Sequence, residues 1–273
     1  MIESDLKKHL EFCGLRCLDN DEYWAWGGEV LEKKLNDKTW KKFETLRAII
    51  VDGKANQTQR LAFYDFIADK KIEHILHSMK FNAILESGKK VTQYVDQFHP
   101  KSILDFGCNT GLLTSWYAKR NEKISVTGVD ISYTSIQSAR NLSNKLKLIN
   151  IDFIEGNYQK KIKDKFDLIA DTQSIYEVPD RVKILQWISN SLLNENGIFI
   201  SIPQAGNKEA FITFIREIIS SGLYISNLEF ISFQDLGAKG CYPVISAKKM
   251  KNEFKYDLDL FWTELYSYFS SLQ

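Results

Sequence analysis

Ser102-Ile103-Leu104-Asp105-Phe106-Gly107-Cys108-Asn109-Thr110-Gly111, followed by Leu112-Leu113-Thr114-Ser115-Trp116, decides how the rest of the chain is read. It has the form of a short apolar strand, a tight glycine turn and an amphipathic helix. Gly107 and Gly111 free the backbone to curl and let a ligand approach bare amides at a helix N-terminus. A dinucleotide loop would want glycine at 107, 109 and 112, where the chain has Gly, Asn and Leu. A phosphate loop would need Gly-Lys-Ser/Thr, which does not follow. The structural alternative is a plain turn between a strand and a helix. A second landmark weighs against it. Lys123-Ile-Ser-Val-Thr-Gly-Val-Asp130 reads as a neighbouring strand that ends in a carboxylate. At that spacing Asp130, with Ile131 beside it, can accept both hydroxyls of a ribose. Its structural alternative is a helix cap ahead of Ser132.

Asp105-Phe-Gly-Cys-Asn-Thr-Gly resembles the first motif of the class I S-adenosylmethionine (SAM) dependent methyltransferases. There Asp/Glu-x-Gly-x-Gly-x-Gly is usual, and Asn109 stands at the middle glycine. The resemblance implies SAM as cofactor, held by Asp105, Gly107, Asn109 and Gly111, with its ribose on Asp130 and Ile131. A third landmark, Asp152-Phe-Ile-Glu-Gly-Asn157-Tyr158, is similar to the family's stretch after the third strand, where an acidic residue takes the adenine amino group. Asn157 departs from that pattern but retains an acceptor oxygen. In a fourth, Phe166-Asp-Leu-Ile-Ala-Asp171-Thr-Gln-Ser-Ile-Tyr176-Glu177-Val-Pro179, the strand delivers Asp171 to the ligand crevice. The resemblance puts the following residues beside sulfonium and acceptor. Tyr176 and Glu177 are then the acid/base candidates, and Gln173 and Ser174 orient the acceptor. Glu177 has a bland reading too, as a solvated charge near a helix start.

From 101 onward strands at about 102–106, 124–129, 149–154, 166–171 and 197–202 alternate with helices near 111–120, 132–146 and 180–194. Such alternation implies a parallel sheet. A helix over 207–221 and strands at 223–233 and 241–248 resemble the antiparallel ending of the family's seven-stranded sheet. The expected fold is therefore α/β, a Rossmann-like seven-stranded class I methyltransferase sheet over 98–250. An all-helical cap precedes it over 1–97, and a C-terminal helix fills 251–273, packed either on the cap or on a second copy of the chain. Within the cap one helix is expected from Thr58 to Met79 and another from Phe81 to Phe98, with Gly88 as a weak point. Tyr23-Trp24-Ala25-Trp26-Gly27-Gly28 reads either as core or as a lid whose Trp24 and Trp26 meet the substrate. Arg60, Tyr64 and Lys80 are further cap residues able to reach a carboxylate.

The chain has 273 residues and a net charge of +1, and a phosphate-gripping surface normally shows a strong basic excess. A small-molecule acceptor is expected, with no nucleic acid and no membrane partner. No apolar run approaches the ~20 residues of a membrane span, and the N-terminus lacks a signal-peptide core. With four scattered cysteines, these place the protein in the cytoplasm. His9, Cys13 and Cys17 share a helical spacing but lack a fourth ligand, so no metal is expected. His74 and His77 share a helix face and read as structural, for want of an evident carboxylate partner. The expected reaction is methyl transfer to O, N or C of a small metabolite. The alternatives are use of the aminocarboxypropyl arm, releasing methylthioadenosine, and a non-catalytic SAM-binding module.

Overall fold

The structure is a computed structural model that describes residues 2–18, 35–51, 55–156, 161–178, 180–235, 238–250 and 256–270. Helices α1 (Ile2–Phe12), α2 (Asp37–Val51), α3 (Gln57–Ile67), α4 (Lys70–Ser78) and α5 (Phe81–Phe98) precede the sheet. Then come β1 (Ser102–Phe106), α6 (Leu112–Arg120), β2 (Ser125–Asp130), α7 (Tyr133–Leu146), β3 (Ile151–Glu155) and β4 (Phe166–Thr172). A 3₁₀ turn at Ile175–Glu177 leads into α8 (Arg181–Trp187), which runs on through a π turn to Leu192. The chain then forms β5 (Leu193–Ile202), α9 (Lys208–Ser220), β6 (Tyr224–Asp235), β7 (Ala238–Lys248) and α10 (Leu258–Ser270).

The seven strands lie in the order β3-β2-β1-β4-β5-β7-β6. β1 pairs in parallel with β2 and β4, β2 with β3, and β4 with β5, whereas β7 is antiparallel to both its neighbours. The chain order reverses between β1 and β4, which opens the crevice where α/β sheets bind ligands. Helices cover both faces, so the central strands carry apolar residues toward both sides instead of alternating. Successive residues feed opposite cores. Ile103, Leu168, Ile198 and Ile200 join Leu6, Leu10, Phe81, Val91 and Trp116 on one face. Leu104, Ile169 and Phe199 join Leu185, Phe211, Phe214, Ile218, Phe261 and Leu265 on the other. Among the described residues α10 packs on the sheet, against β7.

Two expectations about the cap change. The helix expected from Thr58 to Met79 breaks at Ala68–Asp69, so α3 and α4 are separate elements. Ala68 closes α3 by donating to Tyr64 and Phe66, and Asp69 starts the next turn by accepting from the Glu73 amide. Gly88 is a contact and not a weak point. A Cβ there would lie 2.6 Å from Leu113 Cδ2 and 2.9 Å from Leu6 Cδ2, so a side chain at 88 would have to displace these leucine tips where α1, α5 and α6 meet. The fragment Tyr23–Gly28, with Trp24 and Trp26, lies outside the described residues.

Candidate functional site

At the carboxyl end of β1 the backbone turns sharply. The amides of Gly107 and Cys108 both donate to the Val129 carbonyl, at 2.8 and 2.9 Å, which ties the loop to β2. Gly107, Asn109 and Gly111 have φ of +74°, +47° and +78°, the left-handed region that glycine and asparagine tolerate best. At Gly107 a side chain is also barred by contact, since a Cβ would sit 2.2 Å from Ser174 Cβ. Gly111 packs against Ala139 and Phe153 behind the loop.

A cavity of about 320 Å³ opens over this loop, within the usual size of ligand sites. The sheet side supplies Asp105, Gly107, Asn109, Asp130, Ile131, Gln173 and Ser174, all among the expected site residues. The helical side supplies Tyr64, Ile67, His77, Lys80, Ile84 and Ser87. Asp130 stands at the tip of β2. One carboxylate oxygen accepts from the Asn109 amide at 3.0 Å and the other from the Ser132 amide at 2.9 Å. Each oxygen keeps a second lone pair for a diol. Burial raises its pKa above the usual carboxylate range. Ser132 itself, and not Asp130, caps α7, accepting from the Ser135 amide.

Asp105 is deeply buried and accepts from Thr114 Oγ1 at 2.5 Å. Burial, with the Asp171 and Asp130 charges nearby, pushes its carboxyl up to about 7. Asp171 is placed differently from its expected cofactor contact. It is fully buried and does not line the cavity, because its oxygens take Ser174 N, Ser174 Oγ, Ile175 N and Ser201 Oγ. It shapes the Gln173–Ser174 turn from beneath, and Ser174 Oγ in turn donates to the Phe106 carbonyl. Tyr176 also stands away from the cavity. Its ring packs edge-on against Phe214, 5.4 Å between centroids, with the Arg181 guanidinium over it, so this acid/base candidate serves the core instead. The Glu177 side chain, Asn157 and Tyr158 lie outside the described residues.

The cap contributes residues that the sequence reading passed over. Glu73 is buried on α4 and accepts a short hydrogen bond from Thr110 Oγ1 in the glycine loop. His77, one turn on, holds Nδ1 3.3 Å from Glu73 Oε1, off the line of a hydrogen bond. Its Nε2 lies 3.3 Å from Asn109 Nδ2. The partner that His77 was thought to lack is therefore Glu73, at i−4 on the same helix. On α3, Asp65 accepts from Ser132 Oγ at 2.5 Å. Ser87 Oγ on α5 is buried at the cavity with no hydrogen-bond partner among the described residues. No three His, Cys, Asp or Glu side chains group to hold a metal among the described residues. His9 instead ties α1 to α6 through Leu112 O and Ser115 Oγ.

Residues 99–231 match the family model of a methyltransferase domain. The chain is 31% identical over 113 residues to a ribosomal protein L11 methyltransferase of Clostridium botulinum (strain Eklund 17B / Type B), covering 41% of this chain and 34% of the relative. It is 29% identical to a ubiquinone biosynthesis O-methyltransferase of Histophilus somni, over 50% of this chain and 56% of that one. It is 26% identical to a Mycoplasma genitalium protein assigned as a tRNA methyltransferase, over 62% and 72%. The chain thus spans about a third of the length of the first of these relatives and just over half of the second. A crystal structure assigned as an O-methyltransferase from Nostoc punctiforme shares the fold, with a TM-score of 0.55 and 17% identity over 78% of this chain and 70% of that one. The matched segment starts just ahead of β1 and ends inside β6, so it contains the glycine loop and the switch point, and the chain carries a methyltransferase domain with the class I S-adenosylmethionine-dependent fold.

Proposed function

We propose that the chain transfers the methyl group of SAM to a small-molecule acceptor. One observation carries this reading: the cavity over the glycine loop is roofed by helices of the chain's own cap. An acceptor must enter that space, which favours a small molecule over a folded macromolecule. The residues present fit SAM. Asp130 offers two oxygens at the loop rim, and Ser87 Oγ is a buried polar atom awaiting a partner at the cavity. Gly107 and Asn109 leave the loop backbone close to whatever lies above it. When bound, SAM supplies an electrophilic methyl carbon on a sulfonium. Asp130 and Ser87 then hold and orient it, and the apolar cap residues Ile67 and Ile84 exclude water. With net charge +1, nothing in the composition recruits nucleic acid. The described cysteines are free thiols, which suits the cytoplasm.

The test is to incubate the purified chain with SAM and a metabolite extract and to identify the nucleoside product by mass. S-adenosylhomocysteine is the expected product. Methylthioadenosine would replace the reading by transfer or cyclisation of the aminocarboxypropyl arm. Binding without either product would make the chain a SAM-binding module.

A further inference from the structure

We infer that Asp65, on the cap helix α3, is a positioning residue for the cofactor, setting the diol-accepting carboxylate of Asp130 through the turn at Ser132–Thr134. The inference rests on SAM binding at Asp130 and does not depend on which SAM bond is then broken. Asp65 and Ser132 lie 67 residues apart, so no linear motif relates them. Asp65 Oδ1 accepts from Ser132 Oγ at 2.5 Å and from the Thr134 amide at 3.3 Å. A hydroxyl that donates to a carboxylate at this length makes one of the stronger hydrogen bonds a protein has. Ser132 is fully buried, and its own amide donates to Asp130 Oδ1 at 2.9 Å. Asp65 thus grips the turn whose backbone grips Asp130.

The grip is anchored on the cap side as well. α3 opens with a capping box between Asn56 and Gln59 and closes on the Ala68 amide, and it packs on α7. The same helix carries Tyr64 and Ile67 to the cavity roof. The other oxygen of Asp130 is held by the Asn109 amide, and Asn109 Oδ1 accepts from Ser135 Oγ at 3.1 Å. A carboxylate fixed at both oxygens aims its remaining lone pairs along set directions. Drift of the Ser132 amide would turn them off the diol. Asp65 does not help by its charge. Burial raises the pKa of Asp130, and the Asp65 charge adds to that, which opposes an ionised acceptor. A like charge beside Asp130 is accounted for by the hydrogen bonds it accepts. The contact that seats α3 on the sheet unit therefore also sets the ribose acceptor, which couples cap docking to cofactor affinity.

The experiment titrates the full chain with S-adenosylhomocysteine and with its 2′,3′-dideoxy analogue, by calorimetry. The parent should prefer the diol at least about tenfold. Asp65→Ala should weaken S-adenosylhomocysteine at least about fivefold and leave the analogue within about twofold of the parent, so that the preference collapses. Asp65→Asn keeps an acceptor oxygen for Ser132 and should recover the parent's affinity to within about twofold. Ser132→Ala should lose the same preference. Adding Asp65→Ala to it should change affinity by less than about twofold, because both remove one contact. Equal losses for the two ligands in Asp65→Ala would mark a contact that only packs the cap, and would overturn the inference. So would additive losses, an Asn variant as weak as the Ala variant, or an Ala variant that binds S-adenosylhomocysteine as the parent does. If Asp65→Ala does not fold, Ser132→Ala with its diol preference intact overturns it, and Ser132→Ala without that preference, beside a recovered Asp65→Asn, supports it. A parent that binds S-adenosylhomocysteine without preferring the diol removes the ribose from Asp130 and the inference with it. A parent that binds neither S-adenosylhomocysteine nor SAM would overturn the proposed function itself.

Discussion

Asp105 keeps its proton more tightly in the folded chain than in the unfolded one, because burial lifts its pKa from 3.8 to about 7. The folded state then binds the extra proton between those limits, so this group's stabilisation is full below pH ~4 and is lost as pH rises to ~7. Asp105→Asn keeps an acceptor for Thr114 without the charge. Relative to the parent, it should gain stability as pH rises from ~4 to ~7 and then level off, by about 2–4 kcal/mol in urea melts. A pH-independent difference would remove the buried charge from the account. His9 runs the other way. Burial holds its imidazole down to about 4, so its contribution is lost as pH falls from 6.5, and it partly cancels Asp105 in the parent. Asp130→Ala removes two acceptor oxygens and should weaken SAM binding at least about tenfold by calorimetry. Gly107→Ala should lower both SAM affinity and melting temperature, since its Cβ displaces Ser174 and must hold φ at +74°. Gly107, Asp105 and Asp130 were legible because a glycine turn and a strand-end carboxylate fix each other's spacing. Ser87, Glu73 and Tyr176 were not, because facing the cavity or the core depends on how helices pack, which a linear motif does not carry.

The first four strands were readable to within two residues of their ends, whereas β5, expected at 197–202, starts at Leu193, inside the stretch expected as helix over 180–194. β1 spans the expected 102–106, and β4, expected at 166–171, runs one residue further, since buried strands flanked by turn residues have few alternative readings. The cap was harder. The apolar recurrence from Thr58 to Met79 continues through Ala68–Asp69, and only the turn there lets α4 bring Glu73 and His77 to Thr110 and Asn109. A single helix would have sent them elsewhere. The start of α5 depends on a distant residue. Asp235, at the end of β6, accepts from the Asn82 and Ala83 amides at 2.8 and 2.9 Å, and so caps a helix that Lys80 leaves without a side-chain cap. Asp235→Ala should cost about 1–2 kcal/mol, as loss of an N-cap does. Hydrogen exchange should accelerate first in the opening turn of α5. Unchanged exchange there would mean that packing alone fixes that end.

For the whole molecule, the boundary expected at 97/98 separates two stretches of chain that share one core. Leu6, Leu10, Phe81 and Val91 from α1 and α5 pack with Ile103, Leu113, Trp116 and Val244 of the sheet unit. Polar contacts cross the same seam. His9 meets Leu112 O, Trp116 Nε1 donates to Thr92 Oγ1, and Lys90 and Tyr94 both reach Glu229 on β6. Cutting at 97/98 would uncover one apolar face of the sheet and leave Trp116 Nε1 without its acceptor. Burial of apolar surface is the main stabilising term, at about 25 cal/mol per Å², and a domain's net stability is only about 5–15 kcal/mol. Losing one of the two covering layers should therefore unfold the fragment. Full-length chain is expected to melt in a single calorimetric transition, and residues 98–273 expressed alone should aggregate or bind a hydrophobic dye as an expanded state. A fragment with dispersed amide resonances that still binds SAM would show that the glycine loop and sheet stand without the cap. Asp130 would then hold the cofactor without Ser87, and the work of the cap would narrow to enclosing the acceptor.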